Sequence, residues 1–138
     1  MATSVSPQNK LQRRSREALS ALGLQFLLGM GANLLGGSQD NASVIADGIV
    51  LGLHILVGIG VIIVAIRLLL AARQLQLGVR SAVWALVVLS VTFLIGVGTM
   101  ITGSGWLSFL MALGWLVGVG LYIQTFVLGS RPTTISSR

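Results

Sequence analysis

Four long apolar stretches, at residues 18–36, 48–72, 82–102 and 106–129, leave this chain few ways to fold. Each is near or above the roughly 20 residues that an α-helix, rising about 1.5 Å per residue, needs to cross about 30 Å of hydrocarbon. A transmembrane β-barrel is excluded, because the runs lack the in–out alternation of barrel strands and are about twice their length. Composition points the same way. Hydrophobic residues make up 54 % of the chain and charged ones 9 %, with a mean hydropathy of +0.94, whereas a soluble domain is about one quarter charged. The expected fold is all-α: an integral membrane four-helix antiparallel bundle over residues 18–130, between a basic tail at 1–17 and a short tail at 131–138.

The charges orient this bundle. Lys10, Arg13, Arg14 and Arg16 precede the first span, Arg67, Arg73 and Arg80 surround the link between the second and third, and Arg131 and Arg138 follow the fourth. All nine basic residues therefore fall at one end. Asp40 and Asp47 lie at the other, where the 103–105 turn is uncharged. The positive-inside rule then places both termini in the cytoplasm, as in an inner-membrane protein. A net charge of +6 and a pI near 11.8 would suggest nucleic acid for a soluble protein. Here the basic residues stand where a polytopic protein needs topology determinants and meets anionic lipid head groups, so lipid is the expected partner and nucleic acid is not. The first span follows a basic leader as a signal peptide does, but its apolar run exceeds the usual 7–15 residues and no A-x-A site follows, so it reads as a retained helix.

Within this frame a pattern recurs. Residues 26–37 read FLLGMGANLLGG and residues 93–104 read FLIGVGTMITGS; residues 52–61 read GLHILVGIGV and residues 112–121 read ALGWLVGVGL. Such matches suggest one helical hairpin written twice, its halves related by a pseudo-twofold axis along the membrane normal. The first pair is 67 positions apart and the second 60, so the first outer loop is seven residues longer. Helices in lipid gain little hydrophobic energy by associating, and glycine allows their backbones to approach closely. Gly29, Gly31, Gly58, Gly96, Gly98, Gly114 and Gly118 are accordingly read as packing notches, with Gly48-x-x-x-Gly52 a further small-residue pair at the outer end of the second span.

The few polar residues among the apolar ones are informative, since each costs free energy until it finds a partner. Gln25, Gly29 and Asn33 share a helix face, as do Asp47, His54 and Gly58. Asn33 and His54 are expected to meet in the outer half, with Met100 and Met111 from the other hairpin at a similar depth. This cluster is the candidate site. His54, the only histidine, has three readings: a neutral structural histidine bonded to Asn33, a carbonyl or Asp47; a haem-iron ligand with Met111 or an external ligand opposite; or a proton relay. Trp84, Trp106, Trp115 and Tyr122 read as interface or packing residues.

The run Gln25-Phe26-Leu27-Leu28-Gly29, followed one helix later by a lone His54, resembles one four-helix half of haem A synthase and the small four-helix membrane proteins of that hairpin pattern. The resemblance spans 18–72 directly and 82–129 through the repeat. It implies haem-ligating histidines on the second and fourth helices and a glutamate accompanying the first. Only His54 meets that pattern; Gly114 or Met111 stands near the fourth-helix position and no glutamate precedes His54.

Catalytic constellations are missing from the sequence. Glu17, Asp40 and Asp47 are the only acids and cysteine is absent, so paired carboxylates, thiol nucleophiles and clustered metal ligands cannot be assembled. The expected role is that of a non-enzymatic accessory or interaction subunit, in contact with other membrane subunits or with itself. Haem binding through His54 and a small dimeric channel or transporter are the alternatives.

Overall fold

The computed structural model describes residues 7–36 and 40–130. They form four helices: α1 (Pro7–Leu35), α2 (Asn41–Leu75), α3 (Val79–Thr102) and α4 (Gly105–Gly129). All four are long and apolar enough to cross a membrane, and the chain is a small membrane protein. Residues 1–6 and the expected tail at 131–138 lie outside the described residues.

Each helix packs against two neighbours, α1 on α2 and α4, and α3 on α2 and α4, which makes a four-sided bundle with its diagonals open. Opposed contacts show that neighbours run antiparallel. Gly31 faces Val50 and Gly29 faces His54 along α1 and α2, while Gly98 faces Leu107 and Gly96 faces Met111 along α3 and α4. One end thus carries Lys10, Arg13, Arg14, Arg16, Arg73 and Arg80, and is called the basic end; the α1–α2 and α3–α4 links make up the opposite, or loop, end.

Helix boundaries differ from the apolar stretches at two places. α1 begins at Pro7, so residues 7–17, expected as a tail, form its first three turns. Leu11 and Ser15 are fully buried there and continue the stripe of Ala18 and Leu22 at helical spacing. The charges of that segment lie on the other side, where Glu17 Oε1 and Oε2 pair with Arg13 Nε at 3.1 Å and Arg14 Nη1 at 2.8 Å. At the loop end, residues 41–47 add two turns to α2 where a loop was expected. Asp40 caps them, its carboxylate accepting from Ser43 N at 3.1 Å, which satisfies one of the free N–H groups of the first turn. The seven extra residues of the first link are therefore mostly helix.

Tight turns close the other links. Gln76 and Gly78 take left-handed conformations between α2 and α3, and Gly103 does so between α3 and α4. Gly103 N also donates to Thr99 O at 2.8 Å. A glycine at such a C-terminal position avoids the steric cost of a Cβ at positive φ.

The core is unevenly distributed along the bundle. Leu11, Ser15, Ala18 and Leu22 of α1 meet Val61, Ala65, Leu68 and Ala72 of α2, Ala82, Ala85 and Leu89 of α3, and Tyr122 and Thr125 of α4. All of them lie in the half nearer the basic end. Between Leu22 on α1 and Gly58 on α2, and between Leu89 on α3 and Gly118 on α4, no described residue on the loop-end side is fully buried. Small residues bring the helices together at the edge of the closed core and one turn beyond it: a methyl group at Gly118 would lie 2.8 Å from Leu89 Cδ2, and one at Gly114 would collide with Thr92.

Thr92 cannot easily yield, because its hydroxyl donates to Val88 O at 2.8 Å. Gly114→Ala is therefore expected to destabilise the bundle by about 1–3 kcal/mol through overpacking. Gly120, with nothing within 4 Å of an added methyl, is the control: Gly120→Ala should stabilise by up to about 1 kcal/mol from helix propensity alone. Thermal unfolding of the two variants in detergent measures the contrast; equal and opposite-to-expected shifts would show that the Thr92 contact does not constrain α4.

Candidate functional site

Two polar residues of the spans, Gln25 and His54, meet on the α1–α2 seam. Gly29 has no side chain, and the His54 ring fills the space above it; a methyl at Gly29 would lie 2.9 Å from His54 Cε1 and 3.4 Å from Nδ1. The notch brings the ring against the preceding turn of α1, where Gln25 engages both nitrogens. Nδ1 lies 3.1 Å from the Gln25 main-chain oxygen and Nε2 lies 3.2 Å from Gln25 Nε2. A carbonyl only accepts, so Nδ1 carries the hydrogen and donates it; an amide NH2 only donates, so Nε2 of the ring accepts. The neutral ring is thus held in one tautomer by one residue. Gln25 in turn rests on Gly58, where a methyl would lie 3.2 Å from Gln25 Nε2 and 3.2 Å from Phe93 Cε2 of α3.

The corresponding place on the other hairpin holds sulfur. Gly96 is the notch and Met111 fills it, with Sδ 3.2 Å from where a methyl would be. His54 and Met111 are 57 positions apart, as are Val50 and Leu107, whereas the sequence match aligned His54 with Gly114 at a spacing of 60. In contact register the counterpart of His54 is Met111, one helical turn from Gly114, which instead receives Thr92. Similar residues in two hairpins align by chemistry, while packing depends on which turn faces the notch.

The other expected members stand apart. Asn33 is exposed in the last turn of α1, and its side chain makes no hydrogen bond among the described residues. Met100 is 51 % exposed near the end of α3. Asp47 sits beside Gly36, its carboxylate oxygens 3.8 and 3.9 Å from where a methyl would be, two turns along α2 from His54. The residue that completes the site is Gln25. Its place on the face of Gly29 was visible from the i, i+4 spacing, but the register that chooses it over Asn33 is a tertiary property.

Iron ligation would fall to Nε2 of His54, since Nδ1 carries the donated hydrogen, and in this arrangement the Nε2 lone pair faces the Gln25 amide nitrogen. Met111 is seated in its own hairpin against Gly96. No group of three or more histidines, cysteines or acids able to hold a metal ion occurs among the described residues.

α4 is tied to α1 by an aromatic side chain. Trp115 Nε1 donates to Leu22 O at 2.9 Å, and its ring stacks on Phe26 with centroids 4.7 Å apart. Indole N–H groups buried in apolar surroundings require such a partner, so Trp115 is a packing residue that closes the α1–α4 seam just below the His54 notch. No protein-family model, curated protein or solved structure matches the chain.

The Gln25–His54 pair should be coupled energetically. In a double-mutant cycle of Gln25→Leu and His54→Leu, measured by unfolding in detergent or bicelles, we expect an interaction energy of about 0.6–1.7 kcal/mol, the range found for hydrogen bonds between helices in membranes. Additive effects of the two substitutions would contradict the contact.

Proposed function

We propose that this chain is a non-catalytic interaction subunit of the membrane, which acts by presenting one face of α2 to another membrane helix. The observation that carries this reading is a pair of open glycines four residues apart. Gly29, Gly31, Gly58, Gly96, Gly98, Gly114 and Gly118 each receive a side chain from a neighbouring helix, whereas Gly48 and Gly52, like Gly23, Gly60 and Gly120, have nothing within 4 Å of an added methyl; of these open positions only Gly48 and Gly52 make a small-xxx-small pair on one helix. They lie on the face of α2 that also carries Ile45, Ile49, Leu56, Ile59 and Ile63, all exposed, directly opposite the buried face of Gly58, Val61, Ala65, Leu68 and Ala72. Glycines cost helix stability, about 1 kcal/mol each relative to alanine, and in lipid their usual return is close helix approach.

The rest of the molecule supports a binding role over a chemical one. The described polar groups of the seam bond one another or stand singly, and acids are confined to Glu17, Asp40 and Asp47. The expected partner is a second copy of this chain or another small-faced transmembrane helix. The basic end faces the cytoplasm in this reading, where Lys10, Arg13, Arg14, Arg16, Arg73 and Arg80 meet anionic head groups.

The lack of native cysteine makes the test clean. Ile49→Cys, placed on the glycine face, is expected to give a cross-linked band in cell membranes, of dimer mass for self-association or of higher mass for a different subunit, and Gly52→Leu in the same chain should remove it. Trp84→Cys on exposed α3 is the control for chance collision. Equal cross-linking at both positions, or none at either, would count against the α2 face.

A further inference from the structure

Gln25 holds one atom that its contacts leave unused. Oε1 is buried and has no hydrogen-bond partner among the described residues, although it belongs to the same amide whose nitrogen meets the His54 ring. An unpaired acceptor is costly in an apolar interior, and here it lies on a group able to exchange its two ends by rotation. The terminal torsion of glutamine is broad and roughly two-fold, so a half turn replaces Nε2 with Oε1 in nearly the same place.

The two ends suit two states of the ring. The Gln25 carbonyl keeps a hydrogen on Nδ1 in either state. Nε2 is then the only position whose occupancy can change. With Nε2 bare, the ring is neutral and accepts from the amide nitrogen, leaving Oε1 orphaned. With a proton on Nε2, the ring becomes a donor at both nitrogens, and the rotated amide offers Oε1 as the acceptor. The acceptor left unpaired in the neutral state is the one that an added proton requires, and neither state demands a shift of the main chain.

We propose that Gln25 and His54 form a reversible proton-binding site in the α1–α2 seam, in which a proton taken from water enters at His54 Nε2 and is held against Gln25 Oε1. One proton is bound, His54 changes from neutral to singly positive, and no electron is transferred. The surroundings are otherwise free of charge. The apolar stretch of α1, all of α3 beyond Arg80, and α4 present no titratable side chain except Tyr122, which is buried in the half nearer the basic end. On α2 itself the only such group toward the loop end is Asp47, about 10 Å away by helical rise. The closed core of Leu22, Val61, Ala65 and Leu89 separates the site from the basic end, so in this proposal the proton enters from the loop end.

Side-chain nitrogen NMR of the full chain in nanodiscs, with labelled histidine and glutamine, tests this. At high pH the unsubstituted protein is expected to show the Nδ1–H tautomer of His54. On acidification it should show protonation of both ring nitrogens, with the Gln25 side-chain amide shifting at the same midpoint. Gln25→Met removes the acceptor and should weaken proton binding at least about tenfold, a midpoint lower by about one pH unit or more. An Nε2–H tautomer, a ring that stays neutral down to about pH 4, a Gln25 amide that ignores the titration, or a midpoint unmoved by Gln25→Met in a variant of unchanged helix content would each overturn the proposal. The first readouts need no substitution, so a poorly folding variant does not remove the test.

Discussion

Among helices surrounded by lipid, the hydrophobic effect does not distinguish one apolar face from another, so the shape of the contact decides which faces meet. In this bundle that shape is set by glycine. Each hairpin closes by seating a bulky side chain of the returning helix in a glycine notch of the outgoing one, His54 over Gly29 and Met111 over Gly96. Gly58, Gly114 and Gly118 carry the same device deeper, against Phe93, Thr92 and Leu89. Because neighbouring helices run antiparallel with short links, fixing one such contact fixes the register of the whole pair.

The polar chemistry follows from that register. Once Gly29 admits the imidazole, the nearest groups are those of the preceding turn, and Gln25 supplies both a carbonyl and an amide to one ring. The same approach on the other hairpin brings a thioether to Gly96, which asks for no hydrogen bond. Two hairpins with the same notch therefore differ in the one respect that matters chemically: one holds a group that can exchange a proton and the other does not.

A second division runs along the bundle axis. Toward the basic end, small residues at Ala18, Ala65, Ala72, Ala82 and Ala85 let the four helices close around Leu11, Leu68 and Tyr122. Toward the loop end, α2 runs on past its neighbours and shows an isoleucine ridge interrupted by Gly48 and Gly52. The half that holds the bundle together and the half that carries the polar seam and the open glycines are thus distinct.

The sequence by itself determined four membrane-length helices, the end at which the basic residues gather, the glycines on which packing depends, and His54 as the residue to watch. Those properties follow from composition, length and helical spacing, all local. It also placed Gln25, Gly29 and Asn33 on one face, but from that spacing it pointed to Asn33 as the residue that meets His54, whereas the partner is Gln25, one turn to the other side of Gly29. Tertiary structure decided that by setting α1 against α2 so that Gly29, and not the turn beyond it, meets the ring. For the same reason it made Met111 the counterpart of His54 in place of Gly114, turned residues 7–17 and 41–47 into helix, and left Gly48 and Gly52 open while the other packing glycines were filled. A helix face can be read from spacing, but the turn of a second helix that comes to lie on it depends on the steric fit of both.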